Sequence, residues 1–334
     1  MEENIIDKIL KLAKGSKKKI VLPESNDLRV LKACQTLINE DICEVILIGN
    51  QKEVLDLAYD NNISLYNVQI LDPNNFEKID EYINAFYELR KNKGITLEDA
   101  KKYMSDYVYF GTMMVKLGDA DGLVSGAIHS TSDTLRPALQ IVKQKEGIET
   151  VSSFFIMETQ KKELGSNGLF IFSDCGLIID PTEEQMKDII FSSVESFKML
   201  SKDTPRVALL SYSTNGSAKG EKIDKIKRVL ESVKKDKIDF EIDGEMQLDS
   251  AIIPEVAELK FKESTVAGHA NILIFPNLEA GNIGYKIAER FGDMIALGPI
   301  TQGIACPIND LSRGCNYKDI VGVVALTVVQ ANNN

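Results

Sequence analysis

Short, almost wholly apolar runs recur along this chain, and most are separated by longer stretches of helical periodicity. Runs such as Lys19–Leu22 (KIVL) and Glu44–Ile48 (EVILI) are too short for helices. They are apolar at nearly every position rather than alternate ones, so both their faces must be covered. Strands of that kind, with helices between them, build βαβ units and parallel sheets. The expected fold class is therefore α/β, in two lobes. Further strands are expected at Val68–Leu71, Asp121–Ser125, Ser153–Met157, Leu169–Phe172, Val207–Leu210, Asp239–Ile242, Ile272–Phe275 and Met294–Leu297. Helices are expected at Asp27–Ile38 (capped from Asn26), Phe76–Lys91, Thr96–Lys102, Tyr107–Leu117, Thr182–Leu200 and Ile283–Phe291. The apolar stretch Ile320–Val329 fits a buried helix.

Composition removes several classes of function. A chain of 334 residues suggests about two domains. Its 39 Lys and Arg against 50 Asp and Glu leave a net charge of −11, which argues against a nucleic-acid surface. An anionic ligand must then be met by local arginines and lysines, against the average field. The five cysteines are scattered without a CxxC pair, which suits a reducing cytoplasm, and the two histidines form no zinc pattern. The amphipathic opening MEENIIDKILKLAKGSKKK lacks the apolar core of a signal peptide, and no run is long enough to span a membrane.

Four segments are dense in Gly, Ser, Thr, Asn and Arg: 121–137, 213–222, 275–286 and 298–319. Each is expected to follow a strand and precede a helix. Ligands of doubly wound sheets bind at the carboxyl ends of strands, where helix N-termini offer free N–H groups to phosphate. Phosphate binding by several of these loops is one reading, and ordinary turn chemistry is the other. GNIGYK (281–286) is not GxGxxG, and GSAKGEK (216–222) lacks Walker spacing, so neither nucleotide fingerprint is present.

The last segment carries the most chemistry. Ser312 offers a hydroxyl donor, Arg313 a bidentate cation for phosphate and Asp319 a proton acceptor, close to the start of the final helix. The same residues also suit an Arg–Asp ion pair at a helix start. Ser130 and Thr131 begin the next helix in their segment, where their hydroxyls either cap it or touch phosphate, and the amide of Asn309 is a candidate to line the site.

Taken together, these segments resemble the phosphate acetyltransferase (phosphotransacetylase) family. The matching runs include KKIVLPESNDLRVLKA (18–33), LRKNKGITLEDA (89–100), ADGLVSGAIHSTSDTLRPALQIV (120–142), VALLSYSTNGSAKGEK (207–222), VAGHANILIFPNLEAGNIGYK (266–286) and GPITQGIACPINDLSRGCNYKDIVGVVALTVVQA (298–331). The likeness runs end to end. It implies reversible acetyl transfer between acetyl phosphate and coenzyme A. It also implies a two-lobed fold like that of isocitrate and isopropylmalate dehydrogenases, with mainly parallel sheets and a cleft between the lobes. Residues 1–150 and 306–334 would form one lobe and 151–305 the other. A homodimer without metal or prosthetic group is implied, coenzyme A being a substrate.

Carried over residue by residue, Asp319 matches the base for the coenzyme A thiol, and Arg313 the residue orienting acetyl phosphate. Ser312 matches the donor to the developing negative charge. Arg90 and Arg136 match arginines associated with coenzyme A, and Arg290 a further arginine near the cleft. An ordinary thiol and an ordinary carboxyl differ by about 4.6 pKa units, or roughly 6 kcal/mol against direct proton transfer. The site must therefore acidify the bound thiol, and the donors that stabilise a thiolate would also serve the tetrahedral oxyanion. Alternatives are a phosphate butyryltransferase, a non-catalytic acetyl-CoA-sensing module, and a metal- and NAD-dependent dehydrogenase, for which no acidic metal cluster or nicotinamide site can be placed.

Overall fold

A computed structural model describes residues 4–333; the first three residues of the amphipathic opening segment and Asn334 lie outside the described residues. The chain divides into two compact units, Met1–Lys145 with Ile304–Asn334, and Glu146–Gly303. The first unit opens with α1 (Ile5–Ala13), β1 (Lys19–Leu22), α2 (Leu28–Asn39), β2 (Glu44–Ile48), α3 (Gln51–Asp60) and β3 (Gln69–Leu71). It continues with α4 (Ile79–Arg90), α5 (Leu97–Met104), α6 (Tyr107–Leu117), β4 (Gly122–Ser125) and α7 (Thr131–Pro137). The second unit holds β5 (Ser152–Glu158), β6 (Leu169–Ser173), α8 (Glu183–Leu200), β7 (Arg206–Leu210), α9 (Glu221–Lys234) and β8 (Glu241–Met246). After α10 (Leu248–Ile252), α11 (Pro254–Lys260), β9 (Ile272–Ile274), α12 (Leu278–Gly292) and β10 (Ile295–Gln302), the chain re-enters the first unit as β11 (Ile308–Asp310) and α13 (Tyr317–Asn333).

The first sheet runs β11-β4-β1-β2-β3 and is parallel throughout. Its central strands are buried on both faces, which is why they read as continuous apolar runs. Helix α13 packs on α1, α2, β1, β4 and β11 and is buried at every position from Ile320 to Ala331. A helix apolar all round belongs inside a core, and this one forms the centre of its unit. The second sheet runs β10-β5-β6-β9-β7-β8; β10–β5 and β5–β6 are antiparallel and the other pairs parallel.

Local signals explain most helix starts. Asp27 caps α2 by accepting from Arg29 N, in place of the expected Asn26. Thr96 with Asp99 and Thr182 with Gln185 form capping boxes. Helix α12 starts at Leu278, capped by Asn277, and so takes in most of the segment 275–286 that was expected to be a loop. Gly281 is required there for packing: a Cβ would stand 2.4 Å from the Asp174 carbonyl oxygen. Among the described residues no helix is long and apolar enough to cross a membrane.

Candidate functional site

At the carboxyl ends of the first sheet, the loop Gly126–His129 between β4 and α7 curls its backbone N–H groups inward, as a phosphate-binding loop would. The anion it holds is internal. Glu24, 1% exposed just after β1, accepts from the N–H groups of Gly126, Ala127, Ile128 and His129 at 2.8–3.1 Å, and its Oε1 lies 2.8 Å from His129 Nδ1. The second unit repeats the device. Asp174, buried after β6, accepts from Gly176, Leu177 and Ile178 N–H and from the Ser153 hydroxyl. Glu245, buried in β8, accepts from Gly216 N–H and the Ser213 hydroxyl, with Lys227 Nζ 3.7 Å away. These loop donors are therefore spent on carboxylates of the protein itself, which corrects the reading of several loops as direct phosphate cradles. A buried donor must be satisfied by something, and here the partner sits on another segment.

Ser312, Arg313 and Asp319 lie between β11 and the first turn of α13. The backbone of this loop is pinned by Arg29 of α2, whose Nη1 donates to the carbonyls of Arg313 (2.8 Å) and Cys315 (2.9 Å) while Nη2 reaches Asp27 and the Ala127 carbonyl. Ser312 is exposed; its Oγ accepts from Gly314 N at 3.3 Å, which leaves the hydroxyl proton free to donate. The Arg313 guanidinium is exposed as well. Asp319 closes a reciprocal cap: its Oδ2 accepts from Asn316 N at 2.8 Å, and Asn316 Oδ1 accepts from Lys318 N and Asp319 N. It remains half-buried beside Cys315.

The other candidates divide. Arg90 ends α4 and Arg136 sits on α7, and both act on Tyr109 of α6, whose hydroxyl donates to Gln140 Oε1. Burial pushes the Tyr109 phenol up to about 12, while both guanidinium groups pull it down. Arg90 Nε is buried without a hydrogen-bond partner among the described residues, a cation left with unused capacity. Ser130 is the N-cap of α7: its Oγ accepts from Asp133 N and donates to Asp133 Oδ2. Thr131 donates to Asp310 Oδ2 at 2.6 Å. Asn309 requires a correction, because it is fully buried in β11 and its amide donates to Thr327 and Gln330 of α13, so it braces the core rather than lining a site. Arg290, in the second unit, is highly exposed on α12 with its Nε 3.5 Å from Glu289, a surface pairing of little energetic weight.

Sequence reading passed over Glu24, Arg29 and Asp310. Glu24 stands two residues after β1, Arg29 is the second residue of α2 and Asp310 is the last of β11, and each serves a loop that already looked rich in donors or carbonyls. A cavity of about 540 Å³ opens at the carboxyl ends of β1 and β2, lined among others by Ser25, Asn50, Tyr107, Ile128 and His129.

Cys315 is less accessible to chemistry than its place beside Arg313 suggests. Burial, with Asp319, Asp27 and Glu24 adding to it and Arg29 opposing, pushes its thiol up to about 11. At pH 8 its thiolate fraction should then be roughly two hundred times smaller than that of a thiol of pKa ~8.5. A mass-spectrometric time course with iodoacetamide should show slow labelling at this position; labelling at the rate of a free thiol would contradict the buried placement.

The family profile "Phosphate acetyl/butaryl transferase" matches residues 4–328. A phosphate acetyltransferase of Thermoanaerobacterium thermosaccharolyticum is 54% identical over 98% of this chain and 99% of its own. One from Acetivibrio thermocellus is 51% identical over 98% of each. The crystal structure of a phosphotransacetylase from Streptococcus pyogenes superposes with a TM-score of 0.93 at 42% identity, covering 99% of this chain and 98% of that one. Agreement of this extent and depth, over the residues of both units, places the chain in the phosphate acetyl/butaryl transferase family.

Proposed function

We propose that this chain reversibly transfers an acetyl group between acetyl phosphate and coenzyme A, yielding acetyl-CoA and phosphate. One observation carries the assignment of the site. The loop 312–316 is held through its backbone by Arg29 and the α13 cap, while the Ser312 hydroxyl and the Arg313 guanidinium stay exposed. A rigid loop that presents a cation and a hydroxyl suits a mixed anhydride, because donors held in place stabilise developing charge without reorganising. In this reading Arg313 orients the phosphoryl group, Ser312 donates to the carbonyl oxygen as it becomes an oxyanion, and Asp319 receives the thiol proton. The sulfur attacks the acetyl carbon, the C–O bond to phosphate breaks, and phosphate departs. Arg90 and Arg136 bind anionic parts of coenzyme A, and Arg290 serves as an additional cation. No resident cofactor is needed, since the anhydride is already activated, and the working compartment is the cytoplasm. Holding two anions in line supplies much of the rate, up to about 7–11 kcal/mol in favourable cases.

The test is thioester formation from acetyl phosphate and coenzyme A by the purified protein. Acetyl phosphate should be turned over faster than butyryl phosphate. Folded protein that forms no thioester would leave the acetyl-CoA-sensing reading in its place, and a preference for butyryl phosphate would assign the longer acyl group.

The same reading includes a homodimer. Ile283, Ile287 and Phe291 repeat at four-residue spacing along α12 and are 58%, 53% and 87% exposed, an apolar stripe that a second copy would cover. Light scattering should give twice the 37.1 kDa chain mass, and Phe291→Asp should shift it towards one chain. A wild-type monomer would refute this assignment.

A further inference from the structure

Asp310 is the last residue of β11, two positions before Ser312, and is 3% exposed. Its Oδ2 accepts the Thr131 hydroxyl at 2.6 Å, which ties the first residue of α7 to the strand that leads into the loop of Ser312 and Arg313. Its Oδ1 is buried with no hydrogen-bond partner among the described residues. Two further buried hydroxyls share that condition, Ser125 Oγ on the paired position of β4 and Thr134 Oγ1 on α7, which packs against β11. The glycine opposite is fitted closely to this carboxyl: Gly126 has φ +111°, and a Cβ there would stand 2.4 Å from Asp310 Oδ1. The Ser125 and Thr134 hydroxyls can serve Oδ1 in either state, donating to it when it is ionised and accepting from it when it carries a proton, while Oδ2 keeps Thr131.

We propose that Asp310 is a positioning residue for the acyl-phosphate half of the reaction, joining α7 to the Ser312–Arg313 loop and holding a proton while acyl phosphate is bound. The proton comes from bulk water as the ligand docks and returns there on release; no bond of the substrate is made or broken by it. This inference rests on the functional reading above, which puts the phosphoryl group at Arg313. A phosphoryl group there brings negative charge towards a carboxyl that already faces another buried carboxylate, Glu24, and like charges favour the neutral form. Burial pushes the Asp310 carboxyl up to about 6, with the Thr131 and Thr134 hydroxyls and the Leu311 N–H opposing and Glu24 adding to the rise. The ionisable groups on the elements packed around β11 and in its flanking loops are Glu24, His129, Arg313 and Cys315 in the loops, Asp133 and Arg136 on α7, and Tyr317, Lys318 and Asp319 on α13; Asp27 and Arg29 lie beyond Ala127. None of these is placed to pair with Oδ1.

Acetyl phosphate is stable without the thiol, so its binding can be measured by titration calorimetry of the wild-type protein near pH 7 in two buffers of different ionisation heat. The expected result is uptake of close to one proton per site, since a carboxyl of pKa about 6 is mostly ionised at that pH. Asp310→Asn should bind acetyl phosphate with no proton uptake. In steady state, KM for acetyl phosphate should rise by more than about tenfold between about pH 6 and 8 in wild type and stay flat in Asp310→Asn. Thr131→Val, which removes the hydroxyl favouring the ionised form, should move that rise to higher pH, a displacement that a merely structural contact would not produce. Binding by wild type without proton uptake, or unchanged uptake in Asp310→Asn, would overturn the proposal. Absence of any acetyl phosphate binding would instead sink the functional reading, and this inference with it.

Discussion

Replacing Asp319 with Asn should lower turnover about 10²–10⁴-fold, the usual span for removing a general base, while KM for acetyl phosphate and coenzyme A stays within a fewfold of wild type. The substitution isolates the chemistry because of where the carboxylate sits. Its Oδ2 accepts from Asn316 N at the start of α13, and an Asn carbonyl oxygen can take over that bond. Ala at the same position would also remove the cap and cost about 1 kcal/mol of helix stability, confusing two effects. Steady-state kinetics of the Asn variant, with its melting curve beside wild type, separates them. Turnover within a fewfold of wild type would confine Asp319 to capping and require another acceptor for the thiol proton.

The second large effect concerns stability. Glu24→Ala should destabilise the first unit by about 3–5 kcal/mol, the range for removing one partner from a buried ionic cluster. It strands four backbone N–H groups and the His129 ring around an empty space. Glu24→Gln should rescue only part of this, because its NH₂ group faces donors where the carboxylate offered acceptors. Urea unfolding with a probe in the first unit measures both. A loss below about 1 kcal/mol would mean that water replaces the carboxylate at little cost and that the loop does not depend on Glu24 for its shape.

Much of the architecture was legible because it depends on burial alone. Strands β1 and β2 and helix α6 take the expected bounds, and α13 is the buried helix that its apolar run implied. What escaped depended on partners distant in sequence. β11 is the polar tripeptide Ile308–Asp310, a strand only because β4 lies beside it. The antiparallel pairing of β5 with β6 and β10 follows from connections that no local pattern encodes. The glycines of 281–284 resemble a phosphate loop but serve a helix pressed against the Asp174 backbone. In the candidate site, residue type and spacing marked Ser312, Arg313 and Asp319. They gave no sign that the N–H cradles within the two units are filled by Glu24, Asp174 and Glu245, since a donor-rich loop reads the same whether its anion arrives from solution or from another strand.

That occupancy bears on how such a protein lives among cellular anions. With Glu24 sealed into its nest, the amides of the Gly126–His129 loop are closed to free phosphate or sulfate, so inhibition by simple oxyanions should act through the arginines and weaken as ionic strength rises. The loops acquire their shape at folding, before any ligand arrives, and selectivity for a particular acyl donor is left to side chains that evolution can exchange one at a time without unravelling the backbone beneath them.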